Sequence, residues 1–142
     1  MSFVPLTIPS PKGATWILGA VNEEAITLTD LATDSAANLL PAGSVILAVS
    51  WRITTTITGT GLTGFTIGDP TTAARFQAAT ATLTAGTTGV GTAHMDGAVA
   101  TTAAGPTQAA AAKVRITVAG VSVSGGAIRV AVYYATGTAP TS

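Results

Sequence analysis

The chain has 142 residues and a formal net charge of zero, and only 8% of its residues are charged, against about a quarter in an ordinary globular domain. It has no cysteine, which excludes disulfides, cysteine-based metal sites and a thiol nucleophile. The balanced charge predicts neither a nucleic-acid partner nor an anionic membrane surface, and no apolar run reaches the roughly 18 residues of a membrane span.

The low charge also predicts how the surface behaves. Charged side chains normally keep folded proteins apart, and a surface of threonine, serine, alanine and glycine lacks them. The composition therefore favours a protein that packs against other protein surfaces over a freely diffusing enzyme.

The first twelve residues differ from the rest of the chain because they contain Pro5, Pro9 and Pro11. Proline has no backbone N–H to donate, so residues 1–12 are predicted to form an extended N-terminal arm, and residues 13–142 a single domain. Two interpretations stay open, an edge strand on its own domain or an arm that docks on a neighbouring subunit. The apolar residues that such an arm offers for protein contacts are Phe3, Val4, Leu6 and Ile8.

The strongest strand signal runs from Ser44 to Thr58, after a turn at Pro41 and Gly43. Its odd positions are nearly all apolar, whereas its even positions are mostly small or polar, as in a half-buried strand. Trp51 lies on the apolar phase and is predicted to be in the core. Weaker strands are predicted at Thr15–Val21, Ala25–Thr29, Leu62–Ile67 and Gln77–Thr84.

Three other segments are predicted to be mainly irregular. Asp34–Leu40 and Gln108–Lys113 are too short for stable helices, so each is interpreted as a loop or a single turn. Gly86–Ala112 lacks periodicity and is expected to be a long surface loop or to contain one poor strand.

The C-terminal part contains two further alternating segments, Lys113–Val118 and Ala127–Tyr134. Gly125-Gly126 is interpreted as a turn, and the two segments are predicted to be neighbouring antiparallel strands. Arg129 and Tyr133 share the outer phase of the second segment. Arginine and tyrosine are enriched at contact hot spots, so both are candidate interface residues. The fold predicted from all these strands is all-β, an antiparallel β-sandwich or a jelly-roll-like barrel.

The sequence contains no motif typical of an enzyme. His94 is the only histidine, and no Gly-x-Ser-x-Gly elbow is present to pair with it. It is predicted to be an exposed loop residue. The six acids do not show the spacing of a calcium loop, and no phosphate-binding glycine loop is found. No catalytic residue, cofactor or metal ion is therefore expected, although an enzyme using His94 and an acid is kept as a minor hypothesis.

Several segments together resemble the small structural proteins of tailed-bacteriophage virions, in particular the capsid decoration or cement type. The resemblance is carried by Leu40–Ile46 (LPAGSVI), Trp51–Thr58 (WRITTTIT), Phe65–Asp69 (FTIGD), Ala74–Phe76 (ARF), Val114–Gly120 (VRITVAG) and Gly125–Tyr134 (GGAIRVAVYY). In such proteins more acids often follow Gly-Asp, whereas here Pro70–Ala74 intervenes, so ion binding at this turn is not expected.

The resemblance implies a β-sandwich or jelly-roll subunit located in the virion and assembled in the host cytoplasm. The implied role is to stabilise the phage head by binding the major capsid protein, with a homo-oligomer, a trimer above others, as the implied assembly. Two alternatives stay open. The first is a tail or fibre component. The second is a carbohydrate-binding module that uses Tyr133, Trp16 or the segment Gly86–Ala112.

Overall fold

The computed structural model describes residues 6–9, 13–95 and 105–140, and for residues 15–18 it describes the backbone only. The described residues form an all-β fold whose only helical element is a 3₁₀ turn at Ala93–Met95. The strands are β1 (Leu6–Pro9), β2 (Thr15–Thr27), β3 (Ala32–Asp34), β4 (Ser44–Thr60), β5 (Gly64–Gly68), β6 (Gln77–Thr80), β7 (Thr88–Gly91), β8 (Thr107–Gln108), β9 (Arg115–Ala119) and β10 (Ser122–Thr138).

The strands form two antiparallel sheets that pack face to face, which confirms the predicted β-sandwich. Within the described residues, the larger sheet has the order β1-β2-β10-β4-β7, and β8 pairs with the beginning of β4. The smaller sheet has the order β3-β9-β5-β6. Because β4 and β10 lie at the centre of the larger sheet, their outer faces make up most of one broad surface.

The predicted alternation of β4 changes phase near the start of the strand. From Val49 to Ile53 the odd positions are buried as predicted, but at the start of the strand Ile46 is buried and Leu47 is exposed. The pairing of β4 with β10 shifts register at this place, between Tyr133 and Tyr134. An extra residue in one strand reverses which side chains face the core, so a β-bulge explains the change of phase.

The Gly125-Gly126 turn is a wrong prediction, because β10 runs through both glycines. The register with β4 shifts on each side of Gly125, and Gly126 has a φ of 138°. These glycines therefore form an irregular bend inside a long strand, where bulges are common, and the chain reverses earlier, at Gly120 and Val121.

The prediction that the two C-terminal segments are neighbours is also wrong. Strand β9 lies in the smaller sheet between β3 and β5, whereas β10 lies in the larger sheet between β2 and β4. The connection at Gly120 and Val121 thus crosses from one sheet to the other. Each strand buries its apolar phase in the core from the opposite side, which two neighbouring strands would not do.

The other weak strands are confirmed with changed bounds. Thr15–Val21 and Ala25–Thr29 belong to one strand, β2, while Leu62–Ile67 and Gln77–Thr84 correspond to the shorter strands β5 and β6. Asp34–Leu40 begins with the last residue of β3, and the rest contains no helix. Gln108–Lys113 contains no helix and starts at the end of β8. The described parts of Gly86–Ala112 include two short strands, β7 and β8.

The core lies between the two sheets and centres on Trp51. Its ring meets the Phe65 ring of the opposite sheet edge to face, with centroids 5.1 Å apart. The indole N–H donates to Oε1 of Gln77 over 3.1 Å, so the polar group of this buried side chain is satisfied. Gly89 lies against the same indole, where a Cβ would come within 2.4 Å of it. The prediction that Trp51 is a core residue is confirmed.

The described part of the predicted arm, Leu6–Pro9, is extended. It pairs antiparallel with Thr15–Leu18 of β2 and forms one edge of the larger sheet. Phe3 and Val4 lie outside the described residues, as does the end of the arm at residues 10–12.

Candidate functional site

The outer face of the larger sheet brings side chains from four strands together in ordered rows. One row contains Ala25, Arg129, Arg52 and Thr88, since each is the register partner of the next. The adjacent row contains Glu23, Ala131, Ser50 and Val90. We call the residues of these two rows, together with Tyr133, the outer patch.

The outer patch contains a shallow depression of about 370 Å³ between β10, β4 and β7. A second depression of about 460 Å³ lies beside it, lined by Thr54, Ala85 and Gly86. Arg52 and Arg129 line both depressions. The surface is therefore gently curved and open, which suits contact with another macromolecule better than enclosure of a small substrate.

The two predicted interface residues of β10 both belong to this patch. Arg129 is exposed and forms an ion pair with Oε1 of Glu23 on β2. Tyr133 is 38% exposed, and its hydroxyl lies 3.5 Å from Oγ of Ser50 on β4. The structure thus places both on one surface, but it also adds Arg52, which the sequence analysis did not single out.

The other two described interface candidates, Leu6 and Ile8, lie on β1. They are 60% and 49% exposed, although both are large apolar residues. Since β1 pairs only with the first part of β2, they lie near one end of the sheet, away from the outer patch. The candidates therefore form two separate surfaces on the same sheet.

The prediction that His94 is an exposed loop residue is wrong, because it is only 4% exposed. The 3₁₀ turn folds it against β4, where its Nε2 lies 2.8 Å from the carbonyl oxygen of Ile46. Its ring also meets the Phe76 ring edge to face at 5.2 Å. These contacts make the imidazole part of the packed interior. It lies against the N-terminal end of β4, where the β-bulge turns Ile46 towards the core.

Each acid in the described part of the chain already has a partner. Glu24 accepts the backbone N–H groups of Ala36 and Ala37, and Asp30 accepts that of Leu31. The other three described acids, Glu23, Asp34 and Asp69, pair with arginines. Among the residues that the structure describes, no group of His, Asp and Glu could hold a metal ion.

The ion pair of Asp34 with Arg115 joins β3 to β9. The guanidinium donates from Nε to Oδ1 over 2.6 Å and from a terminal nitrogen to Oδ2 over 2.9 Å. This hydrogen bonding lowers the pKa of the Asp34 carboxyl and raises the pKa of Arg115. Both side chains remain 31% exposed, so the pair belongs to the surface.

The ion pair of Asp69 with Arg75, in contrast, is buried, with only 4% of the arginine side chain and 9% of the aspartate side chain exposed. One guanidinium nitrogen donates to Asp69 over 2.9 Å and to Gln108 over 2.7 Å. The other donates to the carbonyl oxygens of Gly105 and Thr107. Arg75 therefore fastens the strand β8 and the residues before it to the turn after β5.

The Asp69 carboxylate also organises its own turn, since its Oδ1 accepts the backbone N–H groups of Thr71 and Thr72, each over 2.8 Å. The FTIGD and ARF segments are thus two halves of one buried network. In this chain the network holds the turn after β5 and the strand β8 in place. The sequence contained a signal for this ion pair, because Arg75 follows Asp69 by six residues.

No known protein-family profile matches the chain, and no curated protein matches it. Among solved structures, the chain is similar to a chain of the cyanophage Pam1 capsid asymmetric unit, with a TM-score of 0.54 and 22% sequence identity. The match covers 84% of this chain and 86% of that chain. At this identity the similarity concerns the fold, which extends over nearly the whole of both chains. In the described residues, no helix is long and apolar enough to cross a membrane.

Proposed function

We propose that this protein is a virion structural protein of a tailed bacteriophage, and that it decorates the head by binding the major capsid protein. The observation that carries the proposal is the shared fold with a chain of a cyanophage capsid asymmetric unit, which covers more than four fifths of both chains. The chemistry of the described surface supports it, because the described acids are engaged within the chain and the site candidates lie on open sheet faces.

The proposed contact with the capsid is made by the N-terminal arm, whose described interface candidates are Leu6 and Ile8. An edge strand with free backbone groups readily adds to another chain, and exposed apolar side chains on it add buried area to that contact. Phe3 and Val4 extend the same apolar segment in the sequence. The resemblance to virion structural proteins implies a homo-oligomer, and we propose a trimer.

The test uses empty shells assembled from the major capsid protein of the same virus. The double variant Leu6→Ser/Ile8→Ser should bind shells at least about tenfold more weakly, since a loss of 1.4 kcal/mol in contact energy corresponds to that factor. Val121→Ser is the matched control, because Val121 is 73% exposed on the turn before β10. It removes exposed apolar surface from another part of the molecule.

Occupancy on the shells is measured by sedimentation, and the mass of the free protein by native mass spectrometry. Unchanged binding of the double variant would exclude the arm as the contact. A wild-type protein that does not sediment with shells would overturn the decoration role itself, and a monomeric or dimeric mass would overturn the trimer.

A further inference from the structure

Arg52 occupies an unfavourable position in the outer patch. It lies at the middle of β4, and its register partner on β10 is Arg129. Like charges directly opposite each other destabilise an antiparallel pair. On its other side the register partner is Thr88 of β7, which carries no charge. A positive charge at this position therefore does not stabilise the folded chain through either of its register partners.

The other described arginines all have a counter-charge. Arg75 pairs with Asp69, Arg115 with Asp34, and Arg129 with Glu23. Within the part of the chain that the structure describes, Arg52 forms neither an ion pair nor a hydrogen bond through its side chain. Glu23, the acid closest to it in the patch, is engaged by Arg129. The outer patch therefore carries one positive charge in excess.

The surroundings of Arg52 match the composition of a protein contact. Val90 is 63% exposed and Tyr133 is 38% exposed, and both line the same depression as Arg52. Interface hot spots combine arginine and tyrosine with apolar contacts that exclude water. The planar guanidinium donates two parallel hydrogen bonds to a carboxylate, which makes an acidic side chain its best partner.

We propose that the outer patch is a docking surface for another protein that presents an aspartate or glutamate side chain, and that this carboxylate binds Arg52 beside Arg129. A second copy of this chain fits less well, because its described acids are already engaged. A glycan fits less well too, since sugar binding commonly relies on aromatic stacking and this patch exposes one tyrosine. Under the proposed function the partner is the capsid protein, and only that identification rests on the proposed function.

The first test is independent of any capsid. The probe is the peptide acetyl-Glu-Glu-Leu-Glu-Glu-amide, titrated into the labelled protein while the arginine Nε–H resonances are followed by NMR. We expect the resonances of Arg52 and Arg129 to shift, and the shift of the Arg129 resonance to fall at least tenfold in Arg52→Gln. Arg115→Gln is the matched control, because that arginine has its own carboxylate and lies on the other sheet. The same peptide with glutamine in place of glutamate should give no shift.

Equal responses to the two peptides, or an unchanged response in Arg52→Gln, would overturn the proposal. So would a stronger and Arg52-dependent response to an acidic oligosaccharide such as polysialic acid, which would assign the patch to a glycan.

A second variant separates binding from folding. Arg52→Glu puts a carboxylate opposite Arg129, so we expect a higher unfolding midpoint than that of the wild type together with loss of peptide binding. A merely structural role of Arg52 predicts the opposite, a lower midpoint. With shells, wild-type binding that Arg52→Glu leaves unchanged would overturn the capsid protein as the partner of the outer patch and leave the decoration role standing. A wild-type protein that binds the peptide but does not bind shells would overturn the decoration role and leave the docking surface standing.

Discussion

Two arginines of this chain form similar ion pairs in very different surroundings. Arg75 is almost fully buried and donates to a carboxylate, an amide and two carbonyl groups, whereas Arg115 donates to Asp34 at the surface. Removing one partner of a buried pair leaves an uncompensated charge in a low-dielectric interior. Removing one partner of an exposed pair leaves a charge that water solvates.

The variants Arg75→Met and Arg115→Met therefore make a matched comparison at the residue scale. We expect Arg75→Met to lower the free energy of unfolding by about 3–5 kcal/mol, and Arg115→Met to lower it by less than about 1 kcal/mol. Urea denaturation followed by tryptophan fluorescence measures both. If the two variants unfold at the same urea concentration, Arg75 does not stabilise the turn and strand as described.

At the scale of single elements, the irregular middle of β10 shows how glycine shapes a strand. Gly126 has a φ of 138°, and a Cβ there would lie 2.8 Å from the Cα of Ile57 on β4. Gly125, next to it, would bring a Cβ only to 3.4 Å from the hydroxyl oxygen of Thr58. One glycine is thus required by both conformation and close approach, and its neighbour is not.

We expect Gly126→Ala to lower the free energy of unfolding by about 1–3 kcal/mol, the usual cost of a strained backbone position. Gly125→Ala is the control and should change it by less than about 1 kcal/mol, because a tolerated alanine also reduces the freedom of the unfolded chain. Thermal unfolding by circular dichroism measures both. A Gly126→Ala variant as stable as Gly125→Ala would contradict the assignment of the bend to Gly126.

The elements also show what the sequence could and could not predict. Alternation located β4 and most of β10, since side-chain periodicity is a local property. It did not reveal the bulge at Leu47, although the consecutive apolar residues Val45, Ile46 and Leu47 break the alternation at that place. Alternation did not predict which strands pair with each other. Strands β9 and β10 are adjacent in sequence but lie in different sheets, because the packing of the whole core determines which strands become neighbours.

The candidate site also combines residues that the sequence predicted with residues that only the strand pairing brings together. The outer phase of β10 predicted Arg129 and Tyr133 as neighbours on an exposed face, and the structure agrees. Arg52 could not be joined to them from the sequence, since that required the register of β4 against β10. The burial of His94 was equally non-local, because it depends on the carbonyl of Ile46 on a distant strand.

At the scale of the whole molecule, the stability of the fold depends on pH through an ion pair at the surface. The described pair whose pKa values are shifted is Asp34 with Arg115, and the Asp34 carboxyl has its pKa lowered from the ordinary 3.8 mainly by the hydrogen bond from Arg115. The folded state therefore favours the ionised form. This contribution to stability is fully present above the unfolded pKa and is lost as the pH falls through the folded pKa.

We expect the wild type to exceed Asp34→Asn in stability by less than about 1 kcal/mol near neutral pH, and the difference to shrink as the pH falls below about 4. Chemical denaturation of both proteins across this range measures the difference directly, and effects common to both proteins cancel. A difference that grows on acidification would contradict the lowered pKa.

The arrangement of the two longest strands has a consequence for how the molecule is made. Strands β4 and β10 pair along nearly their full length, but β10 follows β4 only after most of the smaller sheet. Bringing two strands together across so long an intervening segment costs conformational entropy before the contacts between them can form. Folds dominated by such pairings therefore form slowly. During synthesis the edge of β4 that pairs with β10 stays unpaired until β10 has emerged, and such an unpaired strand edge makes the incomplete chain prone to aggregation.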